Sequence, residues 1–280
     1  MKTSISLVIL AVAVAADARC SVCKAHPGDA SWPSPQTWAK FNETLGGKLL
    51  LPAPPAAVCH REQPVYNTTK CAEIQQVWST YEFHVQDPIS VMWDQFSDWS
   101  CLPNGNTTCN ANGYPAVVVN ATSAVDVKAA IEFAKKHGVR LNVKSTGHDY
   151  LGRSNSPGTL SIWLHHLNQI QYHDIFESTA GKTKAVTVGG GTQMWDIYKA
   201  TDLHNQTIVG GGGKTVGIGG YITGGGHSIL SPRFGLAADS VLEMEVVTPA
   251  GDIVVANASK HADLFWAMRG VGKRASTPVL

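Results

Sequence analysis

From residue 19 to residue 114 the apolar positions keep no steady period, and Pro, Asn, Trp and Cys are frequent, which predicts an irregular segment. Periodicity begins at Pro115. Residues 116–119 form a short apolar run that predicts a strand, and Val127, Ala130, Ile131 and Ala134 then recur at helical spacing. Ser123 and Asp126 stand where a capping box would open that helix, with Asp in place of the usual Glu. Gly138 stands where a C-terminal cap belongs. Residues 139–143 read as the next strand. The order is β-α-β, and it delivers the chain to Lys144-Ser145-Thr146-Gly147-His148-Asp149-Tyr150.

A second block of the same kind follows. Residues 184–188 predict a strand that ends in Gly189-Gly190-Gly191. Thr192 is placed to cap a helix that carries Met194, Trp195, Ile197 and Tyr198. Residues 241–247 alternate apolar with acidic side chains, the pattern of a half-buried strand. Pro249-Ala250-Gly251 turns it, and residues 252–256 return as the hairpin partner. Ser259 is placed to cap a last helix over 262–269.

Length and composition narrow the class. A chain of 280 residues has room for one large or two modest domains. A formal net charge of +1 with no dense Lys/Arg run gives no footprint for nucleic acid or an anionic membrane. Lys2 followed by an apolar run over 7–16, too short to span a bilayer, reads as a secretory signal over 1–18, cleaved near Arg19. Asn42, Asn67, Asn106, Asn120, Asn205 and Asn257 each open an N-x-S/T sequon. The cysteines are Cys20, Cys23, Cys59, Cys71, Cys101 and Cys109, and an even set in an oxidising compartment reads as structural disulfides. Short loops favour Cys59–Cys71 and Cys101–Cys109, leaving Cys20 with Cys23. Together these features predict a secreted, extracellular glycoprotein.

The candidate chemistry lies in the glycines, which concentrate in 189–226. Glycines at strand ends allow the backbone to approach a phosphate closely. An ATP-type loop ending in Gly213-Lys214-Thr215 fails, because its first glycine would fall at Ile208, and no G-x-G-x-x-G occurs in the stretch. What remains is a site built from two separate loops, 144–152 and 210–226. His165-His166 lacks further ligands at metal spacing, so no metal is expected. His227 reads as a structural loop residue.

The two loops carry a resemblance. Lys144-Ser145-Thr146-Gly147-His148-Asp149-Tyr150-Leu151-Gly152 resembles the first pyrophosphate loop of the PCMH-type FAD-binding oxidoreductases, the vanillyl-alcohol oxidase and berberine-bridge-enzyme family. Gly212-Gly213-Lys214-Thr215-Val216-Gly217-Ile218-Gly219-Gly220, with Gly224-Gly225-Gly226-His227-Ser228, resembles the second. Gly235-Leu236-Ala237-Ala238-Asp239-Ser240-Val241 and Asp263-Leu264-Phe265-Trp266-Ala267-Met268-Arg269-Gly270 match downstream signatures in order. The front end is similar to the fungal secreted, isoamyl-alcohol-oxidase-like group. The resemblance implies an α+β fold: two α/β subdomains of a PCMH-type FAD-binding domain over 115–270. It implies FAD held by Ser145, Thr146, Gly147, His148, Asp149, Tyr150, Gly152, Gly212, Thr215, Val216, Gly217, Gly219, Gly220, Gly224, Gly225, Asp239 and Val241. His148 sits where the family attaches the flavin 8α carbon to an imidazole. Gly213 stands where members with two covalent links carry a cysteine, so one link is expected. The implied activity is an oxidase that takes hydride from an alcohol-, sugar- or alkaloid-type small molecule and returns the electrons to O2.

After Gly270 the resemblance stops, and 271–280 read as a divergent tail. Gly272-Lys273 can be encoded by GGT AAG, which contains a common intron start, so the last residues are read as translated intron. On that reading the second subdomain is incomplete and the substrate domain absent, no catalytic base can be named, and the alternative to an oxidase is a truncated, noncatalytic flavin-binding remnant.

Overall fold

The computed structural model describes residues 23–104, 108–179 and 181–270. The signal at 1–18, Cys20, the Asn106 sequon and the tail over 271–280 lie outside them. The front segment is more regular than its sequence suggests. It holds helix α1 (Pro35–Thr44), a two-residue strand β1 (Leu49–Leu50), and helices α2 (Thr68–Val77) and α3 (Tyr81–Gln86). Periodicity misses them because they are short and bury little: α2 buries no residue at all. Their starts are local. Ser34 Oγ accepts the Thr37 N–H ahead of Pro35, and Asn67 Oδ1 accepts the Lys70 N–H.

A four-stranded sheet follows. Strand β2 (Val117–Asn120) leads into helix α4 (Ala124–His137), then β3 (Leu141–Lys144) and β4 (Leu160–Trp163). The order is β1-β2-β4-β3, with β2, β4 and β3 parallel. The expected β-α-β unit is present, but β4 lies between its two strands. Strand β3 begins at Leu141, later than expected, because Val139 still closes the end of α4 by donating to Ala134 O. Gly138 does cap α4, at φ +64°. The capping box is only half made. Ser123 Oγ accepts the Asp126 N–H, but Asp126 accepts from Thr122 and pairs with Lys48.

The two faces of this sheet bury different partners. Val117, Val119, Leu160 and Ile162 pack against Val127, Ala130, Ile131 and Ala134 of α4 and against Trp38, Phe41 and Leu45 of the front segment. On the opposite face, Val118 and Trp163 pack with Ala56, Ala57, Ile89 and Tyr114, around the buried Cys101 and Cys109. The front segment therefore covers one face of the sheet and completes the core on the other. Cys59–Cys71 and Cys101–Cys109 are bonded as expected. Cys23 is exposed, and its expected pairing with Cys20 lies outside the described residues.

The second block is built from two hairpins. Strand β5 (Ile170–Ser178) pairs antiparallel with β6 (Gly181–Val188), which starts earlier than expected. Strand β5 was not foreseen, because it is largely half-exposed and shows no clean alternation. Helix α5 (Met194–Asp202) follows, then α6 (Ile218–Thr223) and the four-residue α7 (Ser231–Phe234). Strand β7 (Glu243–Val247) pairs with β8 (Ile253–Asn257), as the alternation predicts, and α8 (Ala262–Ala267) packs Phe265 onto Met244, Val246 and Ala256. Two caps differ from expectation. Gln193, not Thr192, precedes α5, and Thr192 Oγ1 is buried without a partner among the described residues. His261 precedes α8, while Ser259 bonds to Asn257 instead.

Candidate cofactor site

The first loop leaves the carboxyl end of β3, where Asn120, Trp163 and Lys144 stand in one row across three parallel strands. Crevices beyond the carboxyl ends of parallel strands are where such sheets bind ligands. Lys144 is fully buried. Its Nζ donates to His84 O at 2.9 Å and to Asp87 O, the carbonyls that end α3, and burial pulls its pKa down to about 7.

Each following residue has a defined task. Ser145 Oγ donates to Gly190 O at 2.9 Å, and Thr146 Oγ1 accepts the Gly217 N–H at 3.0 Å, so both side chains join the first loop to the second. Gly147 sits at φ +90°, and its carbonyl accepts the Met92 N–H. A Cβ there would lie 3.2 Å from Lys144 Cε and 3.4 Å from Ser90 O, so the turn needs glycine twice over. Asp149 is spent on its own loop: it accepts the N–H groups of Leu151 and Arg153 and pairs with the Arg153 guanidinium. Tyr150 is 77% exposed and stacks on Trp93, and Gly152 closes the turn by donating to Asp149 O.

The second loop runs beside the first. Lys214 and Val216 carbonyls accept the Trp195 and Met194 N–H groups at the start of α5. Gly219, in α6, donates to Gly190 O, and a Cβ on it would lie 2.9 Å from that oxygen. Gly220 beside it, and Gly212 upstream, face open space, with nothing within 4 Å of a Cβ. Gly224 ends α6, and Gly225 and Gly226 accept the Ala238 and Ala237 N–H groups. Asp239 closes that turn on the Leu236 N–H, and Val241 leans on the β7–β8 core. The two loops are thus brought together, whereas Asp239 holds the Leu236 turn whose next residues, Ala237 and Ala238, bond Gly226 and Gly225 of the second loop.

His148 lies at the junction. Its Nε2 is 2.7 Å from Thr215 Oγ1, and its ring meets the Tyr81 ring edge-on at 5.1 Å. Burial pushes its pKa down to about 4, so the imidazole is neutral at physiological pH. Nδ1 has no protein partner among the described residues. Neither have the backbone N–H groups of Thr146, Gly147, His148 and Asp149. Consecutive free N–H groups beside open glycines form an anion-binding concavity, and a pyrophosphate fits that donor set. A neutral imidazole with one free nitrogen fits attachment to an electrophilic carbon.

Several residues of the site were not singled out in the sequence. Tyr81 and Glu82 of α3 reach His148 and Lys214, Met92 holds Gly147, and Gly190 receives both loops. Only Gly190 left a signal, as part of a glycine run ending a strand. His165 stacks on Trp163 with its Nδ1 buried and unpartnered among the described residues, and His166 bonds Asn120. His60, Cys101 and Cys109 come close together, but both sulfurs are in a disulfide and offer no ligand.

The chain is similar to known flavin-binding proteins. The family described as FAD binding domain matches residues 115–257. A VAO-type flavoprotein oxidase of Thermothelomyces thermophilus is 43% identical over 255 residues, covering 89% of this chain and 44% of its own length. An FAD-linked oxidoreductase of Aspergillus clavatus is 39% identical, covering 90% and 44%. The crystal structure of a VAO-type flavoprotein from Myceliophthora thermophila superposes with a TM-score of 0.88 at 42% identity, over 92% of this chain and 48% of that one. Glucooligosaccharide oxidase of Acremonium strictum, described with a 6-S-cysteinyl, 8α-N1-histidyl FAD, superposes at 0.52 with 27% identity, over 59% of this chain and 34% of that one. The chain spans less than half the length of these relatives.

Proposed function

The chain belongs to the FAD binding domain family, the PCMH-type group that includes VAO-type flavoprotein oxidases, and from that premise we propose that it is the flavin-holding part of an oxidase in which His148 carries FAD through a single covalent link. When bound, FAD accepts hydride from a substrate carbon bearing an alcohol, sugar-hydroxyl or amine group and returns the electrons to O2 as H2O2. The observation that carries the reading is the junction of the two loops: a neutral imidazole beside four free N–H groups. The N–H groups of 146–149 would hold the pyrophosphate. Gly212 and Gly220 would leave room for it. Thr215 holds Nε2, which leaves Nδ1 as the attachment atom, and the N1-histidyl flavin named for the Acremonium oxidase has the same isomer. Gly213 offers no sulfur for a second link.

The expected secretory signal, the sequons and the two disulfides support a proposed extracellular location. The test of function is direct. Purified protein should show flavin absorbance, and a version extended to the length of its relatives should produce peroxide with at least one member of a panel of alcohols, sugars and benzylic amines. Flavin without peroxide on any member would leave only a flavin carrier, and no flavin at all would defeat the reading.

A further inference from the structure

We propose that helix α3, which lies outside both glycine loops, is the positioning element for flavin attachment, with Tyr81 orienting His148 and the Glu82–Lys214 pair fixing the second loop over it. The inference rests on the histidyl-flavin reading above and adds the part of the chain that makes it work.

The geometry is that of a strap. At its carboxyl end α3 is tied to the root of the first loop, because the buried Lys144 Nζ donates to His84 O and Asp87 O. A donor at that end of a helix meets the unpaired carbonyls. His84 reinforces the tie. Its Nε2 donates to Trp78 O at 2.6 Å, so Nδ1 accepts the Ser90 hydroxyl, also at 2.6 Å. The Met92 N–H, just beyond, reaches Gly147 O. At its amino end α3 is tied to the second loop, where Glu82 pairs with Lys214 at 2.5 Å. Beside the amino-end tie, Tyr81, the first residue of α3, lays its ring against His148 at an interplanar angle of 66°.

One hydrogen bond to Thr215 gives the imidazole an anchor but leaves it free to swing about that bond. The Tyr81 contact removes the swing and directs Nδ1. In the attachment step, Nδ1 bonds to the 8α carbon. That carbon loses one hydrogen and the ring loses the one on Nε2. The two electrons and two protons pass to the flavin and then to O2, which leaves as H2O2. Thr215 Oγ1 accepts from Nε2–H before the step and donates to Nε2 after it, since a hydroxyl does either. Tyr81 is 46% exposed, and no hydrogen bond of its hydroxyl is found among the described residues, so its ring can be removed without opening the core.

The test uses the full chain, expressed under riboflavin limitation and then given FAD in air, with acid-precipitable flavin followed over time beside total bound flavin and thermal midpoint. Tyr81→Phe should attach flavin at the wild-type rate. Tyr81→Ala should bind FAD yet attach it roughly tenfold or more slowly, with an unchanged midpoint. Glu82→Lys and Lys214→Glu should each slow attachment, and the double charge swap should restore it. Equal attachment rates in wild type and Tyr81→Ala would overturn the role of Tyr81, and a swap that fails to restore the rate would overturn that of the ion pair. Flavin wholly released by acid from the wild type would instead refute the histidyl link, and the strap with it.

Discussion

Two neighbouring glycines in α6 make opposite predictions, and together they test where the cofactor lies. A Cβ on Gly219 would sit 2.9 Å from Gly190 O and 3.4 Å from Gly190 Cα. The obstacle is backbone, and Gly190 already receives the Gly219 N–H and Ser145 Oγ, so it has little freedom to retreat. Overpacking of this kind costs about 1–3 kcal/mol. A Cβ on Gly220 meets nothing within 4 Å, so Gly220→Ala should instead gain about 0.5–1 kcal/mol from reduced chain entropy in a helix. The two variants should therefore differ by about 1.5–4 kcal/mol in urea unfolding of flavin-free protein. Cofactor binding should invert part of that order. If pyrophosphate fills the space at Gly220, the more stable variant loses FAD affinity by at least about tenfold, or 1.4 kcal/mol. Reversible binding is measurable in a His148→Ala background by quenching of flavin fluorescence. Gly220→Ala that binds FAD as tightly as its parent would show that the open space is not cofactor space. Gly219→Ala as stable as wild type would show that the loops do not abut as described.

Other outcomes follow from the same structure. Replacing both Cys101 and Cys109 with Ser should cost about 2–3 kcal/mol for a loop of this length, read as a lower urea midpoint, because the pair closes the layer under Val118 and Trp163. His148 and His165 are both pushed by burial to about 4. Their folded pKa values lie below the ordinary 6.5, so the unfolded chain binds more protons between pH 6.5 and 4. Stability of the flavin-free protein should fall as pH drops through that window, and His148→Ala should flatten part of the fall; a profile level from pH 7 to 4.5 would contradict the burial of both rings. The carboxylates of Asp126 and Asp149, held low by Lys48, Arg153 and backbone N–H groups, should add a further loss below about pH 3.8.

The parts of the molecule legible in the sequence are those where one local pattern decides. Helix α4 shows its period, its Ser123 start and its Gly138 stop, and the structure keeps all three. Strand β7 shows its alternation and its turn. The disulfides follow from short loops. Strand β4 was hidden because it is only four residues long and buried throughout, and β5 because it is half-exposed along its length. The front helices were hidden for a related reason: α3 has six residues and is held by Lys144 from a distant strand, which no local spacing can show. The site divides in the same way. Its glycines and His148 were legible because backbone approach demands glycine and attachment demands a nucleophile. The joining roles of Ser145, Thr146 and Gly190, and the contact of Tyr81 with His148, depend on loops far apart in sequence.

The most direct test of the account is the mass of one peptide. Trypsin should release residues 145–153, which contain His148, between Lys144 and Arg153. In acid-precipitated wild-type protein this peptide should carry the flavin mass, with fragmentation placing it on His148, and His148→Ala protein should yield the same peptide unmodified with all flavin in the supernatant. An unmodified peptide from yellow wild-type protein, or covalent flavin retained in His148→Ala, would contradict the assignment of His148 as the attachment point.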